Sequence, residues 1–339
     1  MKLVMQLRSL AFIFVGLCIA APPVGAGVAD FYKGRTVQLL IGFSAGGGFD
    51  AYGRLVARHI GRHIPGNPEV LPVNMPGAAS ANAVRILRAR PTDGTVIVAF
   101  NPSLILKAIT EPEKLPLDFN GLAYLGSVSS NVGVCFVWHA TGIKTWDDLA
   151  KKKDQIVLGS PGSRGSSVYI EGALLKNLFG LPVKVITGYP GSTEANLAVR
   201  RGEVDGSCGT WQSLPAAWRD NDWVNVIYTY SKAKPAGIDA PYLLDLAKNE
   251  DQKKMLRLVI GYNDVFRPLA VAKNIPQDRL KALRDAVWAT VNDKAFMTEA
   301  ARLDRPIISP KRGEEMQKIV AEMYETPPAL IKAAVEAIK

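Results

Sequence analysis

Histidine and cysteine are scarce in this 339-residue chain, with three of each. So few cysteines cannot build a disulfide framework. His59 and His63 stand at i and i+4, a spacing that suits a metal pair. No third ligand lies near them, so an exposed basic helix face is the plainer reading and no metal site is assigned. Long apolar runs are missing after the first 26 residues, which leaves nothing to cross a membrane there. Low-complexity tracts, long linkers and blocks of like charge are missing too. The tightest basic run, Lys151–Lys153, is broken at once by Asp154. The net charge of +10 is therefore dispersed. A dispersed positive field suits small anions, and without a basic stripe interleaved with aromatics it argues against a nucleic-acid partner.

The one apolar run, residues 10–20, follows Lys2 and Arg8 and leads into small residues and prolines up to Ala26. That is the layout of a secretory signal peptide, and it is too short for a membrane span of about 20 residues. Cleavage is expected after Ala26, with Ala29 as the second choice; an uncleaved anchor is the alternative. Leu17 before Cys18 argues against a lipid-modified cysteine. Export leaves Cys135 and Cys208, which can pair in an oxidising compartment; small buried hydrophobes is the favoured reading.

The mature chain exceeds the size at which one core stops growing, so two lobes are expected. Strand, glycine-rich loop and helix recur along it. Residues 36–43 read as a buried strand broken at Gly46-Gly47-Gly48, where Asp50 is expected to cap a helix. Tyr52, Leu55, Val56, His59 and Ile60 then follow helical spacing. Further strands are expected over 69–73 and 95–100, then over 132–138, 156–159, 182–187, 204–210 and 225–230, with helices between. This alternation implies an α/β protein with mostly parallel sheets flanked by helices. Residues 27–133 with 231–339 would form one lobe and 134–230 the other.

In open sheets ligands bind beyond the carboxyl ends of strands, where helix N-termini offer free N–H groups to anions. Four glycine- or serine-rich loops lie in that setting, at residues 44–50, 101–103, 160–167 and 189–193. The candidate contacts are Ser44, Ala45, Gly46, Gly47, Gly48, Asp50, Asn101 and Ser103 on one side. Ser160, Gly162, Ser163, Arg164, Ser166, Ser167, Tyr189, Gly191 and Trp211 belong to the other. Glycine lets backbone approach a ligand closely, serine hydroxyls can donate to carboxylate oxygens, and Arg164 can pair with a carboxylate in a fork. Each loop alone is equally a plain strand-to-helix turn, and Asp50 equally a cap.

Enzyme motifs are incomplete. Gly42-Phe43-Ser44-Ala45-Gly46 matches the G-x-S-x-G elbow, which makes a secreted serine hydrolase using Ser44 the rival reading. It follows the first strand, however, and His139 is the one histidine well downstream. The triple glycine lacks the Lys-Ser/Thr of a phosphate loop, and Asn74 stands where a dinucleotide site needs an acid. No cofactor and no catalytic residue are assigned.

Several segments together resemble the Bug-type receptors of tripartite tricarboxylate transporters. They are Gly42-Phe43-Ser44-Ala45-Gly46-Gly47-Gly48-Phe49-Asp50, Asn74-Met75-Pro76-Gly77-Ala78 and Pro91-Thr92-Asp93-Gly94-Thr95. In the second half residues 159–167, Gly188-Tyr189-Pro190-Gly191-Ser192 and Arg201-Gly202-Glu203-Val204-Asp205-Gly206 carry the likeness. The resemblance implies a type II periplasmic-binding-protein clamshell that holds a small carboxylate between its lobes and passes it to integral membrane permease subunits. It also implies a periplasmic location, and a monomer is expected. A ligand sensor for a membrane signalling protein is an equivalent use of the same receptor. Two positions depart from the family pattern: Pro190 replaces a lysine, and Ala79 replaces a glycine.

Overall fold

The computed structural model describes residues 24–161, 166–189, 191–231, 234 and 237–339. Most of the expected leader, together with Gly162, Ser163, Arg164 and Pro190, lies outside the described residues.

Eleven strands and thirteen α-helices alternate along the described chain. The strands are β1 (Thr36–Ile41), β2 (Glu69–Asn74), β3 (Val96–Ala99), β4 (Leu122–Ser127), β5 (Gly133–Trp138), β6 (Ile156–Pro161), β7 (Val183–Tyr189), β8 (Gly206–Thr210), β9 (Val224–Thr229), β10 (Pro268–Ala272) and β11 (Lys311–Arg312). The helices are α1 (Val24–Tyr32), α2 (Gly48–Ile60), α3 (Ala81–Arg88), α4 (Ser103–Thr110), α5 (Trp146–Lys151), α6 (Ser167–Asn177), α7 (Ser192–Arg200), α8 (Ala216–Asp220), α9 (Glu250–Ile260), α10 (Gln277–Val291), α11 (Lys294–Arg302), α12 (Gly313–Tyr324) and α13 (Pro328–Ala337). Among the described residues no helix is long and apolar enough to cross a membrane.

Two sheets result, in the orders β11-β4-β10-β3-β1-β2 and β7-β6-β8-β5-β9. They are mixed rather than mostly parallel. The βαβ units β1–β2, β1–β3, β6–β7 and β6–β8 pair in parallel. The strands on which the chain leaves and re-enters a sheet, β4, β5, β9 and β10, pair antiparallel with their neighbours. A sequence-local pattern of strand and helix cannot reveal that reversal, because it arises where the chain changes sheet.

Alternation along each strand explains the layers. In β3, Val96 and Val98 face one apolar cluster while Ile97 and Ala99 face another. In β5, Cys135 and Val137 face the first cluster and Val134 and Phe136 a third. Strands buried on both faces are those of sheets covered by helices on both sides. The first cluster is common to both sheets: Val98, Phe100 and Leu104 share it with Cys135, Leu158 and Leu174, joined through Leu256, Val259 and Tyr262. Burying a large aliphatic side chain contributes about 1.5–3 kcal/mol, so this common layer is a principal source of stability.

Cys135 and Cys208 are directly opposed on the antiparallel β5–β8 pair and form a disulfide, with their Cα atoms 4.0 Å apart. The expectation of two separate buried thiols is therefore corrected. The two lie 73 residues apart in sequence, and only strand register brings them face to face. The α2 stripe is as expected, with Tyr52, Leu55, Val56, His59 and Ile60 all buried. The basic face it was to carry is corrected: His59 turns inward to Glu299 at 2.5 Å, and His63 meets Asp293 at 3.2 Å. Among the described residues no cluster of three metal-ligating side chains exists.

Candidate functional site

The parallel strands β1, β2 and β3 end at the same edge of the first sheet, and the chain turns there three times into helices α2, α3 and α4. The first turn is held by one acid. Asp50 is not the cap of α2; Gly47 occupies that position with no side-chain bond. From the third helical position the Asp50 carboxylate, 4% exposed, reaches back to accept the Gly46 N–H at 2.9 Å. It also accepts Arg54 Nε at 2.9 and 3.0 Å and Asn74 Nδ2 at 2.7 Å. Asn74 Nδ2 in turn donates to the Phe43 carbonyl at 2.9 Å, tying the end of β2 to the end of β1. Burial raises the Asp50 pKa, but the bonds from Asn74, the Gly46 N–H and Arg54 outweigh it and hold the group below the usual carboxylate range. Its oxygens are thus engaged inside the loop, and its role is to fix the exposed turn Ser44, Ala45, Gly46, Gly47 and Gly48.

The second turn carries unusual backbone. Gly77, Ala78, Ala79 and Ser80 have φ of 122°, 48°, 52° and 80°. Three non-glycine residues in succession at positive φ are strained by about 1–2 kcal/mol each, and strain of this kind collects at functional sites. The fully buried Ser80 accepts the Asn101 N–H at 2.8 Å. A Cβ on Gly42 would lie 2.2 Å from the Ser80 Cβ, so glycine is needed for this approach. In the third turn Asn101 Oδ1 accepts the N–H of buried Ser103 at 3.1 Å. The two predicted loops, 44–50 and 101–103, are therefore joined into one connected structure through the Gly77–Ser80 turn, which was not among the predicted ligand loops.

A residue not singled out in the sequence lies at the same edge. Because β10 runs antiparallel to β3, with Leu269 opposite Ala99, the residues entering β10 stand beside those leaving β3. Arg267, just before β10, has φ 56°. Its guanidinium carbon lies 4.2 Å from the Phe49 ring centre, 4.7 Å from that of Tyr52 and 4.6 Å from that of Phe266. Its Nη2 is 3.1 Å from where a Gly48 Cβ would be, so it abuts the first residue of α2. No carboxylate pairs with it among the described residues. Burial lowers its pKa to about 10; the Tyr52 phenol opposes this and neighbouring Arg305 adds to it.

In the second lobe, Ser160 is fully buried at the end of β6 and its hydroxyl lies 3.2 Å from that of Ser166. Ser166 caps α6 by accepting the Tyr169 N–H at 3.3 Å. Ser167 opens that helix, with its side chain outside the described residues. Tyr189 ends β7 and packs beside Gly159, Gly191 is the N-cap of α7, and Trp211 follows β8 with its N–H on the Val132 carbonyl at 2.8 Å. In this set Ser160 and Ser166 are joined directly, while Gly191 and Trp211 follow the neighbouring strands β7 and β8. An ion pair also links chain segments far apart in sequence: Arg219 of α8 meets Asp304, after α11, at 2.9 Å. The Nε atoms of Arg219 and Arg305 are buried without a partner among the described residues.

His139 is distant from Ser44. It follows β5, whose end lies beside Asp205 at the start of β8, opposite the loop edge of that sheet. His59 is committed to Glu299. No histidine among the described residues serves Ser44, so the G-x-S-x-G match lacks its base.

The class this architecture defines is the two-lobed α/β fold of periplasmic binding proteins. More narrowly, the chain has the fold of the TctC and Bug solute-binding proteins. It is similar to a TctC solute-binding protein from Polaromonas, at 18% identity and TM-score 0.68 over 89% of this chain and 99% of that one. It is similar to the periplasmic binding protein BugD, at 19% identity and TM-score 0.63 over 90% and 98%. It is also similar to MatC from Rhodopseudomonas palustris with bound malate, at 16% identity and TM-score 0.65 over 88% and 99%. No protein-family model and no curated protein matches the sequence.

Proposed function

We propose that this chain is an exported solute-binding receptor of the Bug type that captures a small organic carboxylate and delivers it to a tripartite permease. The observation that carries this reading is the joining of three helix-opening turns at one sheet edge around an exposed, internally braced glycine turn. Exposed N–H groups at helix N-termini favour an anion, and a structure of the same fold holds malate. Residues 27–133 with 231–339 are assigned to one lobe and 134–230 to the other, with the ligand between them. The second-lobe contacts would come from Ser160, Gly162, Ser163, Arg164, Ser166, Ser167, Tyr189, Gly191 and Trp211. Residues 1–26 are read as the leader directing the protein to the periplasm. Val28 is buried at 3% exposure in the first-lobe core, which favours cleavage after Ala26 over Ala29. The receptor is not an enzyme in this reading.

The test is a thermal-shift screen of mono-, di- and tricarboxylates on the purified protein. A ligand at a hundred times its dissociation constant stabilises by about 2.7 kcal/mol, which is readily seen. Stabilisation by at least one carboxylate is expected, with no labelling of Ser44 by a fluorophosphonate. A flat response across the whole panel would sink the reading.

A further inference from the structure

We propose that Arg267 is the residue that selects for negative charge, binding an oxyanion of the ligand as a fork at the N-terminus of α2. This rests on the receptor reading and adds the charge-bearing side chain that the glycine and serine loops lack.

Three independent features of Arg267 point the same way. Its guanidinium, in a half-buried residue, is stacked among Phe49, Tyr52 and Phe266 without any carboxylate partner among the described residues. Withdrawing a charge even partly from water without pairing it is unfavourable. Aromatic faces recover only about 0.5–2 kcal/mol each, so an anion is still wanted. Its backbone is left-handed at φ 56°, a second local strain at the same residue. Its Nη2 touches the Gly48 position, where the N–H groups of the α2 first turn are free. A guanidinium and a helix N-terminus side by side, both unsatisfied, make a fitted seat for a planar oxyanion. Arg305 strengthens the positive field, and the nearest acid in that segment, Asp304, is engaged by Arg219. The rings fix the guanidinium plane, which is why a point-charge lysine is a poor substitute.

The experiment compares wild-type protein with Arg267→Met and Arg267→Lys by calorimetry and thermal shift. The probes are succinate, malate, citrate, benzoate and sulfate. In the absence of any probe, Arg267→Met is expected to keep the wild-type fold and circular-dichroism spectrum, since methionine retains an apolar stem against the three rings. The best carboxylate should bind Arg267→Met at least about tenfold more weakly and Arg267→Lys with an intermediate loss, as expected for one charge-assisted contact. Equal carboxylate binding by wild type and Arg267→Met overturns the role of Arg267 while leaving the receptor reading intact. Sulfate stabilisation lost in Arg267→Met, with no carboxylate effect in wild type, supports the anion seat and removes the carboxylate function. Failure of every probe on wild type overturns both.

Discussion

The Tyr262 phenol donates to Oε1 of Glu171, and both side chains are fully buried. Oε2 of Glu171 has no partner among the described residues. Burial is the dominant influence and pushes the Glu171 carboxyl up to about 8, against the bonds from Tyr262 and Asn263 that pull it down. The unfolded carboxyl titrates near 4.3. Between those two values the unfolded chain has released a proton that the folded chain keeps, so stability falls as pH rises through that window and levels off above about 8. Denaturant titrations from pH 4 to pH 9 should show the decline, and Glu171→Gln should flatten it. An unchanged slope in the variant would locate the effect elsewhere.

Ala79 holds φ 52° where the resembling family has glycine. Left-handed backbone strains alanine by about 1–2 kcal/mol, while glycine gives back about 0.5–1 kcal/mol in chain entropy. Ala79→Gly is therefore expected to stabilise the protein by about 0.5–1 kcal/mol. A shift of the urea midpoint to higher concentration checks this; a lower midpoint contradicts it.

Asp50→Ala removes the acceptor shared by Gly46, Arg54 and Asn74. Arg54 is 39% exposed and recovers water, so the loss is expected at about 2 kcal/mol rather than the larger figure for a fully buried pair. The Gly46 amide should exchange with solvent markedly faster, and carboxylate affinity should drop because the exposed turn loses its brace. Because the folded pKa of Asp50 is depressed, its contribution is present above the unfolded value and fades as pH falls through the folded one. Protection of Gly46 that survives the substitution would show the brace to be dispensable.

Reducing the Cys135–Cys208 bond, or replacing both residues with alanine, releases a 73-residue constraint on the unfolded chain. Loop-closure arguments put the effect at about 4 kcal/mol. The melting temperature should drop accordingly under dithiothreitol, and wild type and double variant should then melt alike. Insensitivity of the wild type to reductant would contradict a structural role for the bond.

The first-lobe loops were legible because glycine runs, strand patterns and helix stripes are local: Gly42 to Asp50 can be read as one segment, and so can Asn101 to Ser103. The role of Asp50 was misread as a cap because its partner Asn74 lies at the end of a different strand. Arg267 was invisible for the same reason at longer range. No motif surrounds it, and only the reversed direction of β10 sets it against Gly48 and Phe49. The disulfide likewise depends on the pairing of β5 with β8.

The apolar layer common to both sheets has a consequence for how the molecule comes apart. Val98 and Phe100 share that layer with Cys135 and Leu158, so neither half retains a complete interior when the other is lost. A single calorimetric peak with matching calorimetric and van't Hoff enthalpies follows. Residues 134–230 expressed alone should behave as a loose, dye-binding globule, because the other half of the chain completes their interior.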